Sequence, residues 1–230
     1  MEVQLPPRYQ RNYRTISVEE QARLRQSTVA VVGCGGLGGN IIEEFARLGV
    51  GNLILIDGDR FDATNLNRQL LSTENNLGQS KVEAARQRVE AVNSGVQLSV
   101  FEDWFDEAKG DRLLQGADLV MDALDTLPLR VTLERVCHRL NLPLVYAGVA
   151  GWYGLLGVSL PGDNVVARLF RGGERGAEKL TGNPAFAPAI IASLAVVEGV
   201  KVLIGRDLPL HRAWLHVDLL EMEFQRFELL

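Results

Sequence analysis

The residues able to handle phosphate are gathered in the first half of the chain. Gly33, Gly35, Gly36, Gly38 and Gly39 stand between a β-branched run, residues 29–32, and an apolar pattern of helical period, residues 41–48. Strand, glycine turn and helix in that order make a cradle for an anion. Glycine lets the backbone turn tightly and lets a ligand approach it, and the helix N-terminus offers unpaired N–H groups and a positive dipole end. Asp57 closes a second apolar run, residues 53–56, 24 residues after Gly33. A carboxylate at that spacing can accept from ribose hydroxyls. Arg68 and Lys81 follow, and Asp122 and Asp125 end a later apolar run that starts at residue 118.

Gly33-x-Gly35-x-x-Gly38 with Asp57 fits any Rossmann-like nucleotide binder, an NAD enzyme among them, although no constellation for hydride transfer is visible. A dinucleotide brings a pyrophosphate that the glycine turn largely satisfies. ATP brings three phosphates and needs further cations and a metal, which Arg68, Lys81, Asp122 and Asp125 suit better. Magnesium takes one or two carboxylates together with phosphate oxygens. Each residue also has a plainer reading: Arg68 and Lys81 as surface charges, and Asp125 as the N-cap of the helix that follows.

Period and punctuation supply the elements that must hold these side chains. Ser17 with Glu20 three residues later has capping-box spacing and opens a helix reaching residue 26. After the first two strands, residues 61–73 lack a period and read as an ordered loop or short helical turn. Residues 78–93 read as a helix with Lys81 in its first turn. A strand over 96–101, a helix over 107–115, the strand at 118–122, a helix over 126–140 and a strand over 143–149 follow. Residues 152–160 read as an antiparallel return. Residues 188–204 are apolar nearly all round and read as a buried helix, followed by strands at 214–218 and 222–229. The expected fold is therefore α/β: a Rossmann-like, mostly parallel sheet with helices on both faces and an antiparallel C-terminal extension, in one domain over residues 1–230. Residues 1–15 read as a polar arm without an anchor of its own. Residues 162–183, with five glycines and seven charges, read as a mobile crossover loop over the site.

Composition narrows the classes. Apolar residues make up 47% and the net charge is −5, which excludes a disordered chain and argues against a broad nucleic-acid footprint. The N-terminal stretch lacks the apolar core of a signal peptide. The apolar run 189–197 is short for a bilayer and leads into Glu198 and Lys201, so no membrane partner is expected. Two cysteines exclude a disulfide framework and suit a reducing, cytoplasmic setting. Cys34 sits in the glycine turn, where a helix dipole could lower its pKa but where a small residue is also simply required. Cys137 falls among the apolar positions of a helix. There is no C-x-x-C pair, so no zinc site is expected. His138, His211 and His216 are dispersed.

The combination of motifs resembles the ubiquitin-activating-enzyme-like adenylyltransferases of the HesA, MoeB and ThiF group. The matching stretches are RYQR from Arg8, GCGGLG from Gly33, DGDRFDATNLNRQ from Asp57, GQSKVEAA around Lys81, DLVMDALD ending at Asp125, PLVYAGVAGWYG from Pro143, and the tail through HVDLLEMEFQRFEL. They cover nearly the whole chain in order. The resemblance implies a cytoplasmic homodimer that uses ATP and magnesium to adenylate the C-terminal Gly-Gly carboxylate of a small ubiquitin-like sulfur-carrier protein. Molybdopterin, tungstopterin or thiamine synthesis would be the setting, and pyrophosphate the product released. It implies nucleotide contacts at Gly33, Gly35, Gly36, Gly38, Asp57 and Asp59. Further contacts are implied at Thr64, Asn65, Leu66, Asn67, Arg68 and Gln69, and then at Lys81, Asp125 and Thr126. Arg68 and Lys81 would act on the phosphates, joined by Arg11 reaching across from the neighbouring subunit, and Asp125 would hold magnesium. The crossover region would guide the carrier's tail. Asn12 stands where the family usually has glutamine, and Thr126 where it usually has asparagine.

Adenylation needs no general base. A C-terminal carboxylate, with a reference pKa near ~3.5, is already an ionised nucleophile at neutral pH. Two other readings share these residues. One is an enzyme of the tRNA threonylcarbamoyladenosine dehydratase type, whose DAxD motif is close to DALD here. The other is a non-catalytic nucleotide-binding dimer.

Overall fold

Residues 28–32 are β-branched except for Ala30, and they form the centre of the sheet. In the structure, a computed structural model that describes residues 6–170 and 181–229, Thr28–Val32 (β1) pairs in parallel with Asn52–Ile56 (β2) on one side and Leu119–Asp122 (β4) on the other. Gln97–Phe101 (β3) extends the sheet beyond β2, and Leu144–Ala150 (β5) beyond β4. Three antiparallel strands complete it: Tyr153–Ser159 (β6), Ala213–Asp218 (β7) and Glu223–Glu228 (β8). The order is β3-β2-β1-β4-β5-β6-β7-β8. The connection reverses direction between β1 and β4, and a crevice therefore opens at the carboxyl ends of these two strands, the usual ligand position in such sheets.

Both faces are covered at β1, β2 and β4, which is why these strands read as continuous apolar runs; the edge strand β3 is only partly covered. Val29, Val31, Leu53, Leu55, Leu119 and Met121 join one buried cluster with Gly36–Leu48 (α2), Lys81–Val92 (α3) and the long C-terminal helix Phe186–Ile204. Ala30, Val32, Ile54, Ile56 and Val120 join the other, with Glu107–Leu113 (α4), Leu127–Arg139 (α5) and Val165–Leu169 (α6). Val18–Gln26 (α1) packs beside the C-terminal helix Phe186–Ile204 (α7) through Leu24 and Ile204. The capping box on α1 forms as its spacing predicts: Ser17 Oγ accepts from the Glu20 N–H, and Glu20 accepts from the Ser17 N–H at 2.7 Å.

Several local expectations are revised. The arm is anchored on its own chain from Pro7 onward. Tyr9 is buried, with its phenol pressed on Gly49, where a Cβ would lie 2.4 Å from the ring. Asn93 Nδ2 donates to the Tyr9 hydroxyl at 2.7 Å, and Asn12 Nδ2 donates to Gln21 Oε1 at 3.0 Å. Part of the 162–183 segment is helical: α6 buries Val165 and Val166, held because buried Glu134 accepts from the N–H groups of Val166 and Ala167, both at 2.9 Å. The rest of that segment's charged stretch, residues 171–180, lies outside the described residues. Helix α7 is long and apolar enough by composition to cross a bilayer, but it packs against α2, β5 and β6 as a core helix. It is not buried all round. Ile190 and Val197 are 38% and 54% exposed, because nothing in the described chain covers its outer face.

Candidate active site

The glycine turn is shaped by close approach. Gly33 has φ +100°, and a Cβ there would sit 2.6 Å from the Ala123 carbonyl oxygen. A Cβ on Gly38 would lie 1.8 Å from the Gly33 carbonyl oxygen, so only glycine lets the first turn of α2 fold back onto the end of β1. Gly35 is the N-cap of α2 and contributes no side-chain cap. The free N–H groups of that first turn are thus left for a ligand.

Around this turn lies a cavity of about 560 Å³ at the carboxyl ends of β1 and β4. Of the residues singled out above, it is lined by Gly33, Gly35, Gly36, Asp57, Asp59, Arg68, Gln69, Lys81 and Asp125. Asp57 is held by two backbone donors. Its Oδ2 accepts from the Cys34 N–H at 2.7 Å and its Oδ1 from the Asp59 N–H at 2.8 Å, which ties the second strand's carboxylate to the glycine turn. Lys81 is the first residue of α3, three residues later than its pattern predicts. It is 6% exposed, and its Nζ donates to Asp59 Oδ2 at 2.5 Å. A buried ammonium at a helix N-terminus opposes the dipole, and Asp59 offsets that cost. Arg68 is aimed by two acceptors, the Thr64 carbonyl and Asn67 Oδ1, both at 2.9 Å. Gln69 is 7% exposed, and its Oε1 has no partner among the described residues. Unpaired buried acceptors are costly, so this one is poised for a donor entering the cavity.

The two carboxylates at the end of β4 separate. Asp125 is exposed and lines the cavity. It does not cap α5; Thr126 occupies that position without a side-chain cap. Asp122 is fully buried beneath the site. It accepts from the Leu124 N–H at 2.9 Å and pairs with Arg130 at 3.3 Å. Burial pushes its carboxyl above the ordinary range, against the opposing pull of Arg130 and that N–H. Arg130 also donates to the carbonyls of Ala147 and Leu124, so one guanidinium clamps the loop carrying Asp125 onto β5.

Other residues from the sequence reading lie behind the wall. Gly38 sits inside the turn. Thr64 and Asn65 knot the loop through Asp62: the Thr64 N–H donates to Asp62 at 2.6 Å, and Asn65 accepts from the Asp62 N–H at 3.3 Å. Asn67 reaches the Asn183 carbonyl at 3.1 Å, Leu66 is exposed and Thr126 opens α5. Arg11 is exposed on the arm and does not line the cavity. Cys34 is fully buried, and burial, then the neighbouring Asp57 carboxylate, drives its thiol well up rather than down. His211 pairs with Asp163 at 2.9 Å, and His216 stacks on Tyr153. Sequence reasoning missed Trp104, Asn183 and the far wall, where Tyr153, Leu155, Trp214 and His216 join the lining. Their strand periods were legible, but only the pairing of β6 with β7 brings them together.

The chain matches a family profile described as the ThiF family over residues 9–229. It is 30% identical over 214 residues to the SAMP-activating enzyme E1 of Haloferax volcanii, covering 91% of this chain and 79% of that protein. It is 35% identical over 139 residues to the tRNA threonylcarbamoyladenosine dehydratase of Haemophilus influenzae, covering 60% of this chain and 53% of that protein. Its fold is similar to the crystal structure of E. coli MccB with ATP, with a TM-score of 0.83 at 23% identity, over 98% of this chain and 72% of that one.

Proposed function

This chain belongs to the ThiF family, the E1-like activating enzymes of ThiF and MoeB type, and we propose that it adenylates the C-terminal Gly-Gly carboxylate of a small ubiquitin-like sulfur-carrier protein with ATP. The observation that carries this reading is one cavity joining two kinds of wall. At one end are the glycine turn, Asp57, Arg68, Lys81 and Asp125. At the other is an apolar strip from β6 and β7, lined by Tyr153, Leu155 and Trp214, that suits a peptide. The SAMP-activating relative matches along nearly the whole chain, whereas the tRNA-modifying relative matches over a smaller share. That second similarity keeps a dehydratase-type activation as the alternative.

The donor set fits the nucleotide. Gly33 and Gly38 have no room for a Cβ, which keeps the turn tight enough for its N–H groups to face an anion, and Gln69 offers an acceptor without a partner among the described residues. It also fits magnesium only in company. Among the described residues no group of three or more His, Cys, Asp or Glu could hold a metal unaided. One exposed carboxylate, Asp125, matches an ion that takes its other ligands from phosphates and water. Bound there with ATP, magnesium would supply charge neutralisation on the phosphates.

In the proposed step an ionised carboxylate oxygen attacks the α-phosphorus. A C–O–P linkage forms, the bond to the bridging oxygen breaks, and pyrophosphate leaves with its electron pair. The opposing force is charge repulsion, so positioning and electrostatics carry the step. Arg68, Lys81 and the free N–H groups of α2 neutralise phosphate charge, and Asp57 holds the ribose. Arg11 acts from a second copy in a homodimer, and the uncovered outer face of α7 is compatible with such an interface. The test is carrier-dependent ATP–pyrophosphate exchange. Asp125→Ala should abolish it while the protein stays folded. Arg11→Ala should be inactive alone, yet mixing it with Asp125→Ala should restore roughly a quarter of wild-type activity, because about half the dimers become hybrids with one intact site. Near-normal exchange in folded Asp125→Ala refutes the metal role. Verified hybrids without recovered activity refute action of Arg11 across the dimer.

A further inference from the structure

Trp104 is 62% exposed, yet its position is closely specified. Its indole lies against Gly58, between Asp57 and Asp59; a Cβ on Gly58 would come within 2.8 Å of three indole atoms. The loop that carries it is pinned on both sides. Glu102 pairs with Arg60 at 2.5 Å, Asp103 with Lys109 at 2.7 Å, and Asp106 caps α4 by accepting from the Lys109 N–H at 2.9 Å. Lys109 Nζ also donates to the Trp104 carbonyl at 3.3 Å, and the next side chain, Phe105, is buried as an anchor. A large aromatic is thus held with one side on glycine backbone and much of its surface bare, in the wall of the cavity.

Position selects the occupant. Trp104 borders the carboxylate that would hold the ribose, at the end of the cavity away from Tyr153 and Trp214. Phosphates run from that ribose to the glycine turn, so the group on the β3 side is the base. Ile56, at the end of β2, and Phe105, just after β3, pack in one cluster and add apolar lining on this side. We propose that Trp104 is the platform on which the base of the bound nucleotide stacks, an inference that rests on the cavity being the ATP site. Stacking uses the π-face and is tolerant of base identity, so Trp104 contributes affinity for any nucleoside triphosphate and none for the phosphates themselves.

The test measures binding by calorimetry, apart from catalysis. Trp104→Ala should raise the Kd for ATP about tenfold and leave that for inorganic tripolyphosphate unchanged. Trp104→Phe should stay within about threefold of wild type for ATP, since a ring remains. ATP should quench the tryptophan fluorescence of the wild type, and most of that quench should be missing in Trp104→Phe. The side chain is exposed, so an unchanged melting temperature shows that the variants are folded. If the wild type binds ATP but Trp104→Ala binds it equally well, or loses ATP and tripolyphosphate alike, the stacking role is refuted and the ATP site stands. If the wild type binds no ATP, both fall.

Discussion

Arg130→Met gives a large effect that can be worked from the structure. The side chain of Asp122 is 0% exposed and that of Arg130 is 6% exposed. Removing the guanidinium leaves the carboxylate buried with one donor, the Leu124 N–H, and also strips the Leu124 and Ala147 carbonyls of a partner. Breaking one side of a buried pair costs about 3–5 kcal/mol. For a domain of this size that lowers the melting temperature by about 6–20 °C. The penalty depends on pH. Burial already places the folded pKa of Asp122 above its ordinary value, and losing Arg130 raises it further. A raised carboxyl contributes stability that is present below the unfolded pKa of about 3.9 and is lost as pH rises through the folded value. The variant's deficit relative to wild type should therefore be large at pH 7 and shrink as pH falls toward about 4. Adding Asp122→Asn removes the stranded charge, so the double variant should be more stable than Arg130→Met at pH 7. Urea unfolding of the wild type, Arg130→Met and the double variant at pH 7 and pH 5 checks this. A deficit under about 1 kcal/mol at pH 7, or one that does not change with pH, refutes the account of the pair.

Gly38→Ala should abolish ATP binding and lower the melting temperature, because its Cβ would fall 1.8 Å from the Gly33 carbonyl oxygen. Gly36→Ala, with its Cβ 3.4 Å from Pro188, should do much less to stability; equal melting temperatures would count against a backbone clash. Cys34 should resist iodoacetamide at pH 8 in the folded protein and react after unfolding in urea, since burial holds its thiol protonated; rapid labelling of native protein, read by intact mass, would contradict this. Elemental analysis should find no stoichiometric zinc, because Cys34 and Cys137 lie on separate elements without a C-x-x-C pair; about one tightly bound zinc per chain would overturn it.

The sequence alone determined what short-range physics controls. The β-branched run followed by glycines specified a strand and a turn that tolerates no Cβ, and the spacing to Asp57 specified a second strand ending on an acid. Ser17 and Glu20 found each other because a capping box closes within one turn. The central parallel strands were legible as continuous apolar runs, and the order of motifs carried the family. Tertiary structure decided what depends on partners far along the chain. Asp122 and Asp125 are three residues apart and look equivalent in sequence. Only Arg130, donating across α5 and β5, sends one to the interior and leaves the other at the cavity. The polar arm looked unattached because the partners of Tyr9, Asn93 and Gly49, are remote in sequence. Helix α7 is apolar on every side, and its period could not say which side meets α2 and the sheet and which stays bare. Trp104 carried no pattern at all; its position became visible once Gly58, at the end of another strand, was seen to make room for the ring. Local pattern sets an element's type and limits, whereas the partner of a charged or aromatic side chain is set by where distant segments pack.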